Sequence, residues 1–559
     1  MMPKSILAMM SCCFFTLLPL MASPAVHLAE NTVMLGAPVK NEKIFLKSLK
    51  ISSDKKHIAY VSKKDGGMRV WVDGIPGPAY EGISIETPIF SSENHSIGYI
   101  AMTENKMFAV INGKKGPAFK GVDTLTFSTD GTRAAYRALK ENNKMVVMVD
   151  GKAGPEFAKI PQEPGIVFSP DAKNVAYAGI SSTGSHIIVQ NNQKQQSFEA
   201  IKTITYAPES DHLACVAKED DMWHVIKDGK TGAPYKKIDQ LTFSRDGEEV
   251  AYVAQKKDNR LIVVKNEEEL ASGDAAISPK FSPDGNTFIY LVGKNKKWHM
   301  VVNGKTGPSI NAPGRIGFSE KDEHFAYSAQ IDDHWAVFLD GKKGPFFDKV
   351  TYMQFSPYDS TLVYIAHKDE KQCIVRDQQL TEFYDGVGIP FFSGKENGHL
   401  AYMAMDREKN KAFIVENSAG ESKSHPPYQM IGVLRTNNKG KAYYAAQRPF
   451  FSPDGLRMAY PVKDHGKSFM VVDGAPQNKY KAISRPYFSP NGNHIAYMAR
   501  TGDKWCIVVD GREGNKKFDS FLKDAKIVFD TPTKCSVLAL NTPGPSFYRL
   551  EVNIQKKDK

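Results

Sequence analysis

The chain has 559 residues, 41% apolar and 24% charged, enough apolar mass for large cores and too much for an intrinsically disordered protein. Gly 43 and Pro 32, with no long run of Ala, Leu, Glu and Lys, exclude a helical bundle. Lys and Arg outnumber Asp and Glu by 73 to 62, a net charge of +11 that leans towards anionic partners without naming one.

Residues 1–25 read as a secretory signal peptide. Lys4 supplies the positive start, Ile6 to Met21 the apolar stretch, and Ser23-Pro24-Ala25 the small residues of a cleavage site. The apolar stretch falls short of the roughly 20 residues a spanning helix needs, and Pro19 interrupts it. A retained anchor, or lipidation at Cys12, fits less well. The mature chain is therefore expected in the periplasm or outside the cell, with no membrane span. Cys12 and Cys13 would leave with the signal peptide. Cys215, Cys373, Cys506 and Cys535 show neither CxxC nor metal-ligand spacing and fall in strand positions, so free core thiols are expected.

Beyond the leader the chain repeats itself. Phe168-Ser169-Pro170-Asp171 leads into Ala176-Tyr177, and Phe243-Ser244-Arg245-Asp246-Gly247 into Ala251-Tyr252. Phe281-Ser282-Pro283-Asp284-Gly285 leads into Ile289-Tyr290, Phe451-Ser452-Pro453-Asp454-Gly455 into Ala459-Tyr460, and Phe488-Ser489-Pro490-Asn491-Gly492 into Ala496-Tyr497. The Tyr position recurs at 60, 99, 136, 177, 252, 290, 327, 364, 402, 460 and 497, with Cys215 taking it once. A second signature follows each: Val149-Asp150-Gly151-Lys152, Val302-Asn303-Gly304-Lys305, Leu339-Asp340-Gly341-Lys342 and Val509-Asp510-Gly511-Arg512, often with Gly-Pro and an aromatic behind it.

Each piece has a mechanical meaning. Ser-Pro-Asp-Gly is a turn in which Pro presets φ and Gly supplies freedom. Asp-Gly or Asn-Gly between apolar runs is a hairpin turn, since its central residues need positive φ. One repeat is then a four-stranded antiparallel meander of about 38 residues, apolar on both faces, which is a propeller blade. The pattern resembles the WD40-like (PD40) repeat of TolB-type β-propellers, found also in prolyl-oligopeptidase-like enzymes, from about Ile51 to Val552. That resemblance implies an all-β propeller and an envelope-associated role. The separate N-terminal α/β domain of TolB has no counterpart, so TolB's own function does not carry over.

Twelve good copies, a terminal copy from Phe529 and a half copy at Leu434-Arg435-Thr436-Asn437-Asn438 with Ala442-Tyr443 make about fourteen units. Two seven-bladed propellers are predicted, residues 26–310 and 311–559, the second with an irregular insertion at 418–448. Six plus six, or one large ring, are the alternatives. The terminal copy lacks a fourth strand, which the N-terminus around Gly36-Ala37-Pro38 or Ile44-Phe45-Leu46 is expected to supply, closing the open edge.

Enzymatic signatures are absent from the sequence. There is no G-x-S-x-G, no HExxH and no calcium loop. Gly-Lys-Thr at 229–231 and 304–306 is preceded by His224 or His299 where a P-loop needs Gly, so no nucleotide site is expected. His57, His212, His324, His399 and His494 share one repeat position. His224 and His299 share another with Cys373 and Cys506. A residue type that recurs blade after blade serves the blade, so no catalytic, cofactor-binding or metal residue is assigned. Trp223, Trp298, Trp335 and Trp505 likewise share one position and are expected to pack between blades. Lys63-Lys64, Lys256-Lys257, Lys294 with Lys296-Lys297, Lys342-Lys343 and Lys516-Lys517 sit in loops, where solubility is the plain reading and a basic rim for anionic polymers the sharper one. Where a repeat protein departs from its template, as at 418–448, a partner-specific surface is expected.

The sequence thus points to an exported, non-enzymatic protein-interaction scaffold of the cell envelope, with no cofactor and no nucleic acid. A protein is the expected partner, with an anionic envelope polysaccharide as the other choice. Carbohydrate-binding or carbohydrate-active propellers, and an accessory subunit of a peptidase, remain alternatives.

Overall fold

The computed structural model describes residues 26–556 except 39–40, 94, 321–323, 395–398, 419–420, 437–441 and 524; the expected signal peptide lies outside the described residues. Among the described residues only strands, turns and loops occur, and no helix is long and apolar enough to cross a membrane.

The strands form thirteen sheets, each an antiparallel meander of four principal strands. Blade 3 is representative: Gly121–Phe127, Ala134–Leu139, Met145–Val149 and Lys152–Ala153 in order. Turn chemistry sets its corners. Ser128 Oγ donates to Asp130 Oδ1, and the Arg133 N–H donates back to Ser128 Oγ, closing the Ser-x-Asp-Gly turn. At the hairpin, Asp150 Oδ1 accepts the Ala134 N–H, and Asp150 takes positive φ ahead of Gly151. Asp228, Asn266, Asn303 and Asp510 repeat that bond in their own blades, which is why only Asp or Asn fills the position.

Period-2 alternation turns the Ala-Tyr pair into a packing rule. In eleven blades the Tyr faces the previous blade and the residue before it faces the next, and Cys215 takes the Tyr's place in blade 5. Ala135, Val147 and Val149 of blade 3 meet Val175, Tyr177 and Val189 of blade 4 in one core cluster. Twelve such clusters join blades that are consecutive in the chain, and a thirteenth closes the ring. The last ties Leu522, Leu538 and Phe547 of blade 13 to Ile58 and Tyr60 of blade 1.

This closure corrects the two seven-bladed propellers expected from the repeat count: the blades form one ring of thirteen. Two observations explain the difference. Residue 310 ends the fourth strand of blade 7, and that blade packs onto blade 8 through a cluster like every other, with no seam between two rings. The half copy is not a blade. Met430–Thr436 and Ala442–Ala446 form a hairpin on the first strand of blade 11, between its pairing at Ile431↔Val462 and its resumption at Phe450–Phe451. The rest of the irregular segment is ordinary: Glu421–Ser424 is the fourth strand of blade 10.

The N-terminus completes the terminal blade. Val26–Gly36 pairs antiparallel with Ser546–Lys556 from Val26↔Lys556 to Gly36↔Phe547 and buries Val26, Leu28 and Leu35. First strands of neighbouring blades approach one another, as in blades 6 and 7, while fourth strands such as Lys152–Ala153 are exposed. First strands therefore line a central opening. With sheets about 10 Å apart and strands about 4.8 Å apart, a circular ring of thirteen blades leaves an opening roughly 25 Å across.

Cys215, Cys373, Cys506 and Cys535 are buried free thiols, as expected. Burial pushes Cys215, Cys373 and Cys535 up to about 12, and Cys506 is also raised. The thiolate is the reactive form. A disulfide reagent at pH 8 is expected to titrate none of the four in the folded chain and all four in denaturant.

Candidate functional site

Most of the repeated histidines serve their own blade. Nδ1 of His57, His212, His324 and His494 faces the hairpin Asp of the same blade, at 2.7 Å for Asp228 and Asp340 and 2.6 Å for Asp510. His224 and His299 donate from Nδ1 to the carbonyls of Gly232 and Gly307. His399 departs from this pattern. In blade 10 its Nδ1 lies 2.8 Å from Ser393 Oγ and its Nε2 3.8 Å from Glu416, and His425 Nε2 lies 2.7 Å from the same carboxylate. His399 and His425 together hold the Glu416 carboxyl far below the usual carboxylate range. Trp223, Trp298 and Trp505 pack against the clusters between blades.

The wall of the opening offers a different arrangement. First strands break midway, at positions such as Thr124, Gln240 and Ser278, which take positive φ. Where blades 10, 11 and 12 break, a cleft of about 340 Å3 opens, lined by Gly388, Ile389, Met403, Gln447, Arg448, Phe450 and Arg485. The hairpin of residues 430–446 rises from the same break in blade 11.

Two arginines shape the cleft. The Arg448 guanidinium sits 4.1 Å from the Phe391 ring centroid and 6.0 Å from that of Phe450. Arg485 lies 5.0 Å from the Tyr487 ring and donates from Nε to the Tyr487 hydroxyl at 2.9 Å. A third, Arg315 in the first strand of blade 8, donates to the Thr351 carbonyl. Burial raises the Tyr352 hydroxyl while the positive charges of Arg448 and Arg315 pull it back down. None of the three arginines has a carboxylate partner among the described residues. Arg448 over its ring and the Nη donors of Arg485 suit carboxylate, sulfate or phosphate. Ile389 is 53% exposed at the rim, so the cleft joins apolar surface to positive charge.

The irregular segment stands out from the repeat in the sequence, whereas these arginines escaped notice there. The signal was present: Arg448-Pro449-Phe450 and Arg485-Pro486-Tyr487 repeat one tripeptide at one position of two consecutive blades.

No family model matches the sequence, and no curated protein sequence matches it. Solved structures match parts of this chain. A crystal structure of the eukaryotic initiation factor covers 59% of this chain and 95% of its own at 14% identity, with a TM-score of 0.32. TolB from Acinetobacter baumannii covers 46% and 77% at 14% identity, with a TM-score of 0.21. KlHsv2 with loop 6CD replaced by a Gly-Ser linker covers 50% and 97% at 12% identity, with a TM-score of 0.23. None of these bears on function, and the blade assignment stands on the sheets themselves.

Proposed function

We propose that this chain is an exported β-propeller acting as a non-enzymatic protein-interaction scaffold of the cell envelope, and that the wall of its opening at blades 10–12 grips an acidic segment of a partner protein. Export rests on the reading of residues 1–25 as a signal peptide. The observation that carries the binding role is the pair Arg448 and Arg485, without carboxylate partners among the described residues, beside an exposed isoleucine and next to the hairpin that breaks the repeat. A propeller of regular blades suits this role, because its loops and inner breaks vary without disturbing the packed sheets. The same arginines and rings fit an anionic envelope polysaccharide, whose carboxylates would pair with guanidinium and whose sugar faces would stack on Phe391 or Tyr487.

The test is affinity capture of the tagged chain from crosslinked envelope extract at low and moderate salt, beside an Arg448→Ala/Arg485→Ala variant and a variant with 434–446 replaced by a short turn. One dominant protein, retained at moderate salt by the parent and reduced at least tenfold in both variants, supports the scaffold reading. Acidic polysaccharide alone, lost as salt rises, moves the assignment to the second reading. Capture identical in parent and variants sinks the cleft as the binding element.

A further inference from the structure

The geometry points to a divalent-metal site at the junction of blades 1 and 2, made by Asp54, His57 and His95 and independent of the cleft described above. One donor atom from each of the three lies within 4.8 Å of the others. Asp54 Oδ2 is 3.1 Å from His95 Nε2 and 3.9 Å from His57 Nε2. A tetrahedral zinc with ligands about 2.1 Å away separates its donors by about 3.4 Å, midway between these two distances.

The surrounding bonds orient each ligand. Asp54 Oδ1 is occupied by the Ser52 hydroxyl and the Lys56 N–H, so Oδ2 is the oxygen left to face the imidazoles. His57 Nδ1 is engaged by Asp73, whose other oxygen accepts the Ile58 N–H, so Nε2 is turned outward. A carboxylate behind a histidine is how ligating imidazoles are held and made more basic. The two turns are tied together by the Ser53 hydroxyl, which donates to the Ser92 carbonyl. The nearby Lys56 ammonium is drawn off to Asp530. His57 and His95 keep about a third of their side-chain surface exposed, enough for an ion to enter and for water to complete the coordination.

Comparison with other blades shows what is particular here. The residue at the His57 position routinely reaches the next blade just past its turn. Arg133 Nη1 meets the carbonyls of Ala172 and Lys173, Arg457 Nη1 that of Asn493, and His212 Nε2 the Glu248 carboxylate at 3.5 Å. In blade 2 the turn departs from the template, and the residue met is a second imidazole. His95 holds positive φ, and its Nδ1 is buried without a protein partner.

Equilibrium dialysis of the purified chain against zinc, with metal quantified per chain, tests the site. One zinc per chain is expected, weakened at least tenfold in His95→Gln and in Asp54→Asn and unchanged in His212→Gln. Imidazole 15N spectra of the unmodified chain supply a readout that does not depend on variants folding: zinc should shift the Nε2 resonances of two histidines and leave the remainder in place. No bound zinc, equal binding in all three variants, or shifts spread over the other histidines overturns the proposal.

Discussion

A chain that begins at Asn41 is expected to lose the closed ring, whereas one that begins at Val26 keeps it. Val26–Gly36 is the outer strand of blade 13 and pairs along the whole of Ser546–Lys556. Its buried side chains, Val26, Leu28 and Leu35, contribute on the order of 6 kcal/mol at roughly 2 kcal/mol each. Glu30 adds a tie to the neighbouring blade, accepting N–H bonds from Asn515 and Lys516. Natural domains are stable by only about 5–15 kcal/mol, so the loss is a large fraction of the whole. It also bares the edge of Ser546–Lys556, an eleven-residue strand, to edge-to-edge association. Thermal unfolding and sedimentation velocity read the outcome: a lower midpoint and self-association in the shortened chain, both reversed by a peptide of residues 26–36. An unchanged midpoint with a monomeric boundary would show that the ring does not need this strand.

The blade was legible because its cues are local. A Ser-Pro-Asp-Gly turn, an Asp-Gly hairpin and an Ala-Tyr alternation each act within one repeat, and each occupies the place its chemistry requires. The number of blades in the ring was not legible, because no single repeat encodes it. Thirteen blades turn about 28° from one to the next where seven turn about 51°, a difference spread thinly over the side-chain volumes of every interface. The half copy misled for a related reason. Residues 434–446 imitate the start of a repeat, yet they are a hairpin inserted into the break of a first strand. Function was legible only as departure from the template. The irregular segment marked the neighbourhood of the cleft, whereas the turn around Ser91-Ser92-Glu93, which departs from Ser-Pro-Asp-Gly, was passed over and no metal residue was assigned. A repeat position shared by five histidines concealed that one of them, His57, meets a partner the others lack.

The second large effect is expected at Gly154, and it explains the recurring Gly-Pro of the fourth strand. A Cβ at Gly154 would fall well inside van der Waals distance of the Tyr177 hydroxyl and 2.8 Å from Asn192 Oδ1. Gly116 stands in the same relation to Tyr136, at 2.9 Å, and Gly36 repeats it against Tyr60 where the ring closes. Each glycine thus leaves room for the aromatic that the next blade drives backwards into the interface. Gly154→Ala is expected to cost about 1–3 kcal/mol, the usual range for overpacking a dense core. Tyr177 is fully buried and its hydroxyl has no partner, so Tyr177→Phe alone is expected to be neutral or to stabilise by about 1 kcal/mol. In the Tyr177→Phe background the cost of Gly154→Ala should fall by about 1 kcal/mol or more, the remainder reflecting the crowded Asn192 amide. Urea unfolding of the four chains measures that coupling directly. Equal losses in the two backgrounds would mean that the glycine answers to its own strand, and that the Tyr hydroxyl is not what sets the spacing between blades.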